Sequence, residues 1–382
     1  MRLSNCHNIS DLRELAKRKL PIAMFDYIDG GADDEVSLKN NSDAFDKYAL
    51  IPETLIDVSQ QSLKTHLLGC DLDLPFFLSP TGMSRLFHHH REIGVAKAAE
   101  KSGTLYTLST MGTTSIEDIA AISSGPKMFQ IYIFKDRELT REFVQRVKLA
   151  GYDALCLTVD TPFAGNRERD IVNGMQMPPK FSLKSFLSFA AHPTWGFHTL
   201  TNPGFKMANV AHRVDALGKG TIGLMDYVNS QFDRTVTWDD LAWLIEQWDG
   251  PFVIKGLSSV GDAKLAKAVG ASAIMISNHG GRQLDSAPAP IDLVQSFRQV
   301  VGDEIELIVD GGIRRGSHIA KALALGANGC SIGRPYLYGL AAGGQAGVER
   351  ALNLLKSELE LTMGLLGCSS VGSLQKHHIQ MN

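Results

Sequence analysis

Short apolar runs recur along the chain at PFFLSP (75–80), TLYTLS (104–109), KMFQIYI (127–133) and ALCLTVD (154–160). They return at PFVIKG (251–256), AIMISN (273–278), ELIVDGG (306–312) and GCSIGRP (329–335). Each run is too short and too uniformly apolar for an amphipathic helix, and fits a parallel strand buried on both faces. Helical patterns lie between them. REIGVAKAAEKSG follows the first run and ends on Gly103, a C-cap signal; RELTREFVQRVKLAG, SVGDAKLAKAVG and GSHIAKALALG follow the third, fifth and seventh. Eight strand–helix units close a parallel barrel, so the pattern predicts a (β/α)8 TIM barrel over residues 75–382, in preference to an open doubly wound sheet.

Two segments fall outside the repeat. Residues 1–74 read as short helices, an N-terminal extension packing on the barrel. Residues 165–235 interrupt the fourth unit with a long insertion containing HPTWGF and NPG. It lies past the C-terminal end of strand four, on the face where barrels carry their active sites, and long irregular loops there are usually functional.

The 382 residues carry a net charge of −3, which offers no electrostatic reason for a nucleic-acid partner. Five widely spaced cysteines without a Cys-x-x-Cys argue against a disulfide framework and a structural zinc site, and no metal is expected. Cys156 and Cys330 sit in apolar runs and read as core. His88, His89 and His90 lack the spacing that places two ligands on one helix face and read as loop residues. The first twenty residues lack a secretory signal pattern, and no run approaches the ~18 apolar residues of a spanning helix, so the cytoplasm is the expected compartment.

Barrel enzymes place reactive groups at the C-terminal ends of their strands. Those ends carry Thr81, Ser109, Gln130 with Tyr132, Thr158 and Arg167, Lys255, Ser277 with His279 and Arg282, Asp310, and Gly333 with Arg334. Gathered at one mouth, they suit a polar ring system and its phosphate. His279, within SNHGGRQLD, reads as a general base held by Asp310 on the neighbouring strand. Lys255 in the barrel mouth needs an anionic partner and suits a reduced, negatively charged ring. Arg167 and Arg282 form a candidate carboxylate clamp, with Tyr27 and Tyr132 as hydroxyl donors. DGGIRRG (310–316) and IGRP (332–335) resemble the phosphate site of many barrels. No G-x-G-x-x-G passes from strand to helix and no P-loop occurs, which disfavours a Rossmann nicotinamide site.

With these residues assembled, the chain resembles the FMN-dependent 2-hydroxy acid dehydrogenase and oxidase family, which includes glycolate oxidase, mandelate dehydrogenase and bacterial L-lactate dehydrogenase. The likeness runs from FDYIDGGADDE (25–35) to GQAGVERALNLL (344–355), and leans towards the L-lactate dehydrogenases through YLYGLAAGGQAGV and WDGPFVIKG. It implies FMN contacts from Pro80, Thr81, Gly82, Ser109, Gln130, Thr158, Lys255, Ser277 and Asp310. Gly311, Gly312, Arg314, Gly333 and Arg334 would hold the phosphate. His279 would accept the proton, oriented by Asp310, and Tyr27, Tyr132, Arg167 and Arg282 would bind the substrate. Met111 stands where glycolate oxidase has tryptophan and Gly82 where many oxidases have alanine, both near the flavin or substrate; the glycine at 82 favours a dehydrogenase passing electrons to a quinone. The alternatives are an oxygen-using glycolate or lactate oxidase, a mandelate dehydrogenase, a flavin-dependent isomerase and a non-enzymatic binding barrel. A homotetramer is expected by analogy. Residues 180–197, basic and aromatic, suggest peripheral membrane contact of the kind made by mandelate dehydrogenase.

Overall fold

The computed structural model describes residues 2–175, 182–202, 204–215 and 230–382. Its eight predicted runs become the parallel strands β1 (Phe76–Thr81), β2 (Tyr106–Ser109), β3 (Lys127–Ile131), β4 (Ala154–Thr158), β5 (Phe252–Leu257), β6 (Ala273–Ser277), β7 (Glu306–Asp310) and β8 (Gly329–Ile332). Neighbours in sequence are neighbours in the sheet, and β8 pairs with β1, so the barrel closes without an edge.

A helix follows each strand: α1 (Arg91–Lys101), α2 (Ile116–Ile122), α3 (Arg137–Leu149), α4 (Trp238–Gln247), α5 (Val260–Ala268), α6 (Pro290–Val301), α7 (Gly316–Ala324) and α8 (Arg334–Leu366). Their starts are written locally. The side chains of Ser115, Asp136 and Ser259 accept backbone N–H bonds at the heads of α2, α3 and α5, and Thr237 with Asp240 forms a capping box on α4. α8 kinks at Gly343 and Gly344.

Alternation along each strand divides the core. Phe77, Leu105, Met128, Cys156, Val253, Met275 and Ile308 meet inside the barrel, while Leu78, Phe129, Leu155, Ile254, Ile276 and Val309 pack outward in the cluster that includes the helices. Leu67, Leu68 and Leu72 join the inner cluster from a hairpin, Thr65–Leu67 with Cys70–Leu72, that plugs the N-terminal end. The extension is therefore not purely helical. Its helices Ile22–Asp29 and Val36–Asp43 lie at the opposite, C-terminal mouth, where Ala32 N–H donates to Gly281 O at 2.8 Å and Asn41 and Asn278 exchange two amide bonds of 2.7 Å. A further strand, Tyr48–Leu50, pairs antiparallel with Ile379–Met381 at the C-terminus.

The insertion after β4, expected to be irregular, carries the short helices Glu168–Val172, Leu183–Ala190, Pro193–Thr201 and Ala211–Asp215. Residues 176–181, 203 and 216–229 of that expected loop, including 180–181 of the aromatic segment, lie outside the described residues. Among the bonds that dock the insertion, Ile22 N–H donates to Ser188 Oγ at 2.9 Å and Trp195 Nε1 to Leu86 O at 2.8 Å.

Candidate active site

Following the inward positions of each strand towards its C-terminal end leads to a hydrogen-bonding side chain in all eight cases. Phe77 gives way to Ser79, Thr107 to Ser109, Met128 to Gln130, Cys156 to Thr158, Val253 to Lys255, Met275 to Ser277, Ile308 to Asp310 and Gly329 to Ser331. One barrel layer is thus hydrogen-bonding, and an unpaired member would cost about 1–3 kcal/mol.

Lys255 is its electrostatic centre. Its Nζ lies 3.2 Å from Asp310 Oδ2 and donates to Ser277 Oγ at 3.1 Å. Asp310 also accepts from Ser277 Oγ (2.7 Å), Ser79 Oγ (2.8 Å) and Ser331 Oγ. Burial alone would raise the Asp310 pKa, but Lys255 and the serine hydroxyls outweigh it and hold it below the ordinary carboxylate range. Burial likewise opposes charge on Lys255; Asp310 and Asp160 overcome it, and the amine stays an ammonium.

The expected pairing of His279 with Asp310 is corrected. His279 Nδ1 lies 2.9 Å from Asp160 Oδ1, just beyond the end of β4, while Asp310 is saturated by Lys255 and three serines. The reason is geometric. His279 follows the last residue of β6 by two and adopts a left-handed φ of 58°, with its N–H donating to Ser277 Oγ at 3.0 Å; this turns the ring towards β4 and β5 rather than β7. Gly256, at φ 109°, makes room: a Cβ there would stand 2.7 Å from the Asp160 side chain. Burial works against ionised Asp160, yet His279 and Lys255 keep its pKa low. The ALCLTVD run ends on this aspartate, and its position one strand-end away from Lys255 was the signal available in the sequence.

Arg167 and Arg282 come together over one ring: their guanidinium carbons lie 5.5 and 5.0 Å from the centre of Tyr27. Arg282 donates to the carbonyls of Tyr27 and Gly30 at 2.7 and 3.0 Å. Burial first, and then Arg167 beside it, lower its pKa. Arg167 has Asp170 at 3.3 Å. Tyr132 stands edge-on to Phe232 at 4.9 Å. Arg334 donates only to carbonyls, those of Ile28, Gly280 and Gly30, and burial pushes its pKa down to about 10. Arg314 donates to Ile313 O. Among the described residues, Arg282, Arg314 and Arg334 make no carboxylate ion pair, and half-buried cations lining one cavity suit an anion.

One cavity of about 1100 Å³ brings these groups together. It is lined by Tyr27, Tyr132, Arg167, Arg282, His279, Lys255, Asp310, Pro80, Thr81, Gly82, Ser109, Gln130, Thr158, Gly311, Gly312, Arg314, Gly333 and Arg334. Ser277 alone of the expected residues lies behind the wall, its Oγ occupied by Lys255, Asp310 and the His279 N–H. Met111, singled out beside Gly82, lines the cavity, and so do Ser79 and Ser331, which were not singled out but were legible as inward strand positions. The residues fit FMN. The polar strand-end layer and Lys255 suit the ring, and the Gly311–Gly312 turn, Arg314 and the head of α8 at Gly333–Arg334 suit the phosphate.

Known proteins resemble this chain over nearly its whole length. The family described as FMN-dependent dehydrogenase matches residues 16–381. The chain belongs to the FMN-dependent dehydrogenase family. Family members similar to it include a putative L-lactate dehydrogenase of Mycobacterium tuberculosis, 42% identical over 99% of this chain and 90% of the other. Glycolate oxidase 3 of Oryza sativa subsp. indica is 40% identical over 97% and 95%. Among solved structures, the monotopic membrane protein (S)-mandelate dehydrogenase superposes with a TM-score of 0.94 at 36% identity, over 99% of this chain and 100% of that one. FMN is the cofactor, and the reaction is FMN-dependent oxidation of a 2-hydroxy acid.

Proposed function

We propose that the chain oxidises a short L-2-hydroxy acid, L-lactate foremost, to its 2-keto acid and passes the electrons to a quinone. The observation that carries the reading is the convergence of two guanidinium groups on Tyr27 in the same cavity as a carboxylate-held histidine. Arg167 and Arg282 bind the substrate carboxylate, as paired planar donors do well. Tyr132 donates to the substrate oxygen. His279, held at Nδ1 by Asp160, presents its other nitrogen to take a proton, and Asp160 offsets the charge that the ring gains. FMN, when bound, takes up the two electrons. Lys255 supplies a fixed positive charge where negative charge accumulates, and Asp310 with its serines keeps that ammonium in place.

Lactate is favoured by the name of the relative at 42% identity. The choice of a quinone is supported by Gly82, beside which Met111 is so close that an added Cβ would stand 2.8 Å from the Met111 Cβ. Mixing FMN-loaded enzyme anaerobically with L-lactate, glycolate and (S)-mandelate, then with oxygen or a quinone analogue, tests both parts. Bleaching of the flavin by L-lactate at the highest kcat/KM, with faster reoxidation by the quinone, is expected. A preference for mandelate or glycolate, or rapid turnover with oxygen, would replace the reading with the corresponding alternative.

We further propose that the insertion rests on a membrane surface, with the chain assembled as a tetramer on the cytoplasmic side. Leu187, Phe197 and Leu200 are exposed on two consecutive insertion helices, Leu200 to 87%. A similar solved protein is described as monotopic, and among the described residues no helix is long and apolar enough to cross a membrane. Co-flotation with anionic lipid vesicles that is lost in Phe197→Ser/Leu200→Ser supports peripheral contact, whereas flotation by neither protein removes it. Light scattering checks the tetramer.

A further inference from the structure

Far from the flavin cavity, three chain segments meet beside the pairing of Tyr48–Leu50 with Ile379–Met381. Glu53 comes from the extension, Cys368 from just past the end of α8, and His377 and His378 from the C-terminal turn. The ligand atoms of Glu53, His377 and His378 all lie within 4.8 Å of one another. His377 Nε2 is 3.3 Å from Glu53 Oε1, and His378 Nε2 is 3.9 Å from Glu53 Oε2 and 3.4 Å from Cys368 Sγ. The two imidazoles stack at 4.1 Å.

These separations have a chemical meaning. Zinc bonds of about 2.0–2.3 Å in a tetrahedron set ligand-to-ligand edges of roughly 3.3–3.6 Å. The His377–Glu53, His378–Cys368 and His378–Glu53 separations, 3.3–3.9 Å, lie at or near that range in a set of four ligands of three types that the flavin chemistry does not use, and Cys368, outside the 4.8 Å triad, meets it through His378. A thiolate and a carboxylate bring two negative charges, which cancel those of a divalent ion, and imidazole and thiolate are the donors that zinc-like ions prefer. His378 Nδ1 accepts the Gln375 N–H at 3.2 Å and also lies 3.3 Å from the Gln375 carbonyl oxygen, so metal binding at Nε2 would move the ring proton to Nδ1 and turn that contact to the carbonyl. Cys368 is only 1% exposed, while Glu53 and His377 open to solvent and give the ion a path in.

We propose that Cys368, His377, His378 and Glu53 bind one zinc-type divalent ion, which ties the N-terminal extension to the C-terminal tail. On binding, a sulfur–metal bond replaces the Cys368 S–H bond and the proton leaves to solvent; nothing is oxidised. Four protein ligands close the coordination sphere, so the site is structural rather than catalytic. The neighbouring histidines His88, His89 and His90 also cluster, but they are a poorer site. The cations Arg85, Arg91 and Lys97 stand around the hollow that His89 and His90 line, and their charge opposes a metal ion there.

The test uses FMN-loaded, chelator-treated enzyme titrated with Co2+ and then Zn2+. One equivalent of Co2+ should give a thiolate charge-transfer band and the intense red d–d bands of a tetrahedral ion, beyond the flavin absorption, and Zn2+ should displace it. Zn2+ should also raise Tm by a few degrees, reversibly with chelator. Cys368→Ser should abolish the charge-transfer band. Glu53→Gln/His377→Ala, changed only at exposed positions and checked for unchanged flavin content, should weaken Zn2+ at least roughly 100-fold. His89→Ala should change nothing. Absence of stoichiometric binding at micromolar protein, cobalt bound without a thiolate band, or binding lost in His89→Ala but kept in Glu53→Gln/His377→Ala would each overturn the proposal.

Discussion

Replacing Asp160 by asparagine keeps the size of the side chain and removes its charge from His279. At 2.9 Å the full Coulomb attraction between the carboxylate and a protonated ring is about 6 kcal/mol at an effective dielectric of about 20. His279 is partly exposed to the cavity, and an amide oxygen still accepts from Nδ1, so only part of that attraction is lost. A hydrogen bond to a charged group is worth about 1.5–3 kcal/mol net, which brings the expected cost to about 3–4 kcal/mol. At 1.36 kcal/mol per decade, that is a roughly 10²–10³-fold slower flavin reduction. Anaerobic stopped-flow with L-lactate at saturating concentration measures this directly, and the dissociation constant of the keto-acid product serves as a control for binding. Asp310→Asn provides the contrast: it strips Lys255 of its partner and should act first on stability and flavin retention. Reduction at near wild-type rate in Asp160→Asn, with the large loss confined to Asp310→Asn, would refute the pairing and restore Asp310 as the holder of His279.

Lys255→Met should slow flavin reduction by more than tenfold and, by leaving Asp310 buried without its cation, lower unfolding stability by about 3–5 kcal/mol, read from urea denaturation. Arg282→Met should raise KM for the hydroxy acid far more than it lowers kcat, with kcat/KM falling roughly 10–150-fold for the loss of a charged hydrogen bond; steady-state kinetics decide this. Gly82→Ala forces a Cβ to within 2.8 Å of the Met111 Cβ, so Met111 must shift, and the ranking of substrates by side-chain size should change while flavin content does not. Asp310, Asp160 and Asp29 have folded pKa values below the unfolded value of about 3.9. Their contribution is therefore complete above that value and fades as pH falls through the folded values, so urea midpoints should drop below about pH 4, and less steeply in Asp310→Asn.

The barrel was legible in the linear pattern because burial on both faces leaves a parallel strand no choice but a short apolar run, and eight such runs with intervening amphipathic helices admit one closed arrangement. The residues of the mouth were legible for the same reason: a polar side chain at the end of an apolar run has to emerge where water or a ligand meets it. Asn-free capping signals at Ser115, Asp136 and Ser259 likewise act within a few residues, and local chemistry is what a sequence records most directly.

What the tertiary structure alone decided were the pairings. His279 is two residues from Ser277 and one strand away from Asp310, so adjacency pointed to Asp310, yet a left-handed turn sends its ring to Asp160, 119 residues distant. The plugging hairpin, the seat of Arg334 on extension carbonyls and the meeting of Glu53 with Cys368, His377 and His378 are of the same kind. Each joins segments far apart in the chain. Residue type and local period say which groups must find partners; only backbone direction and packing in three dimensions say which partners they find.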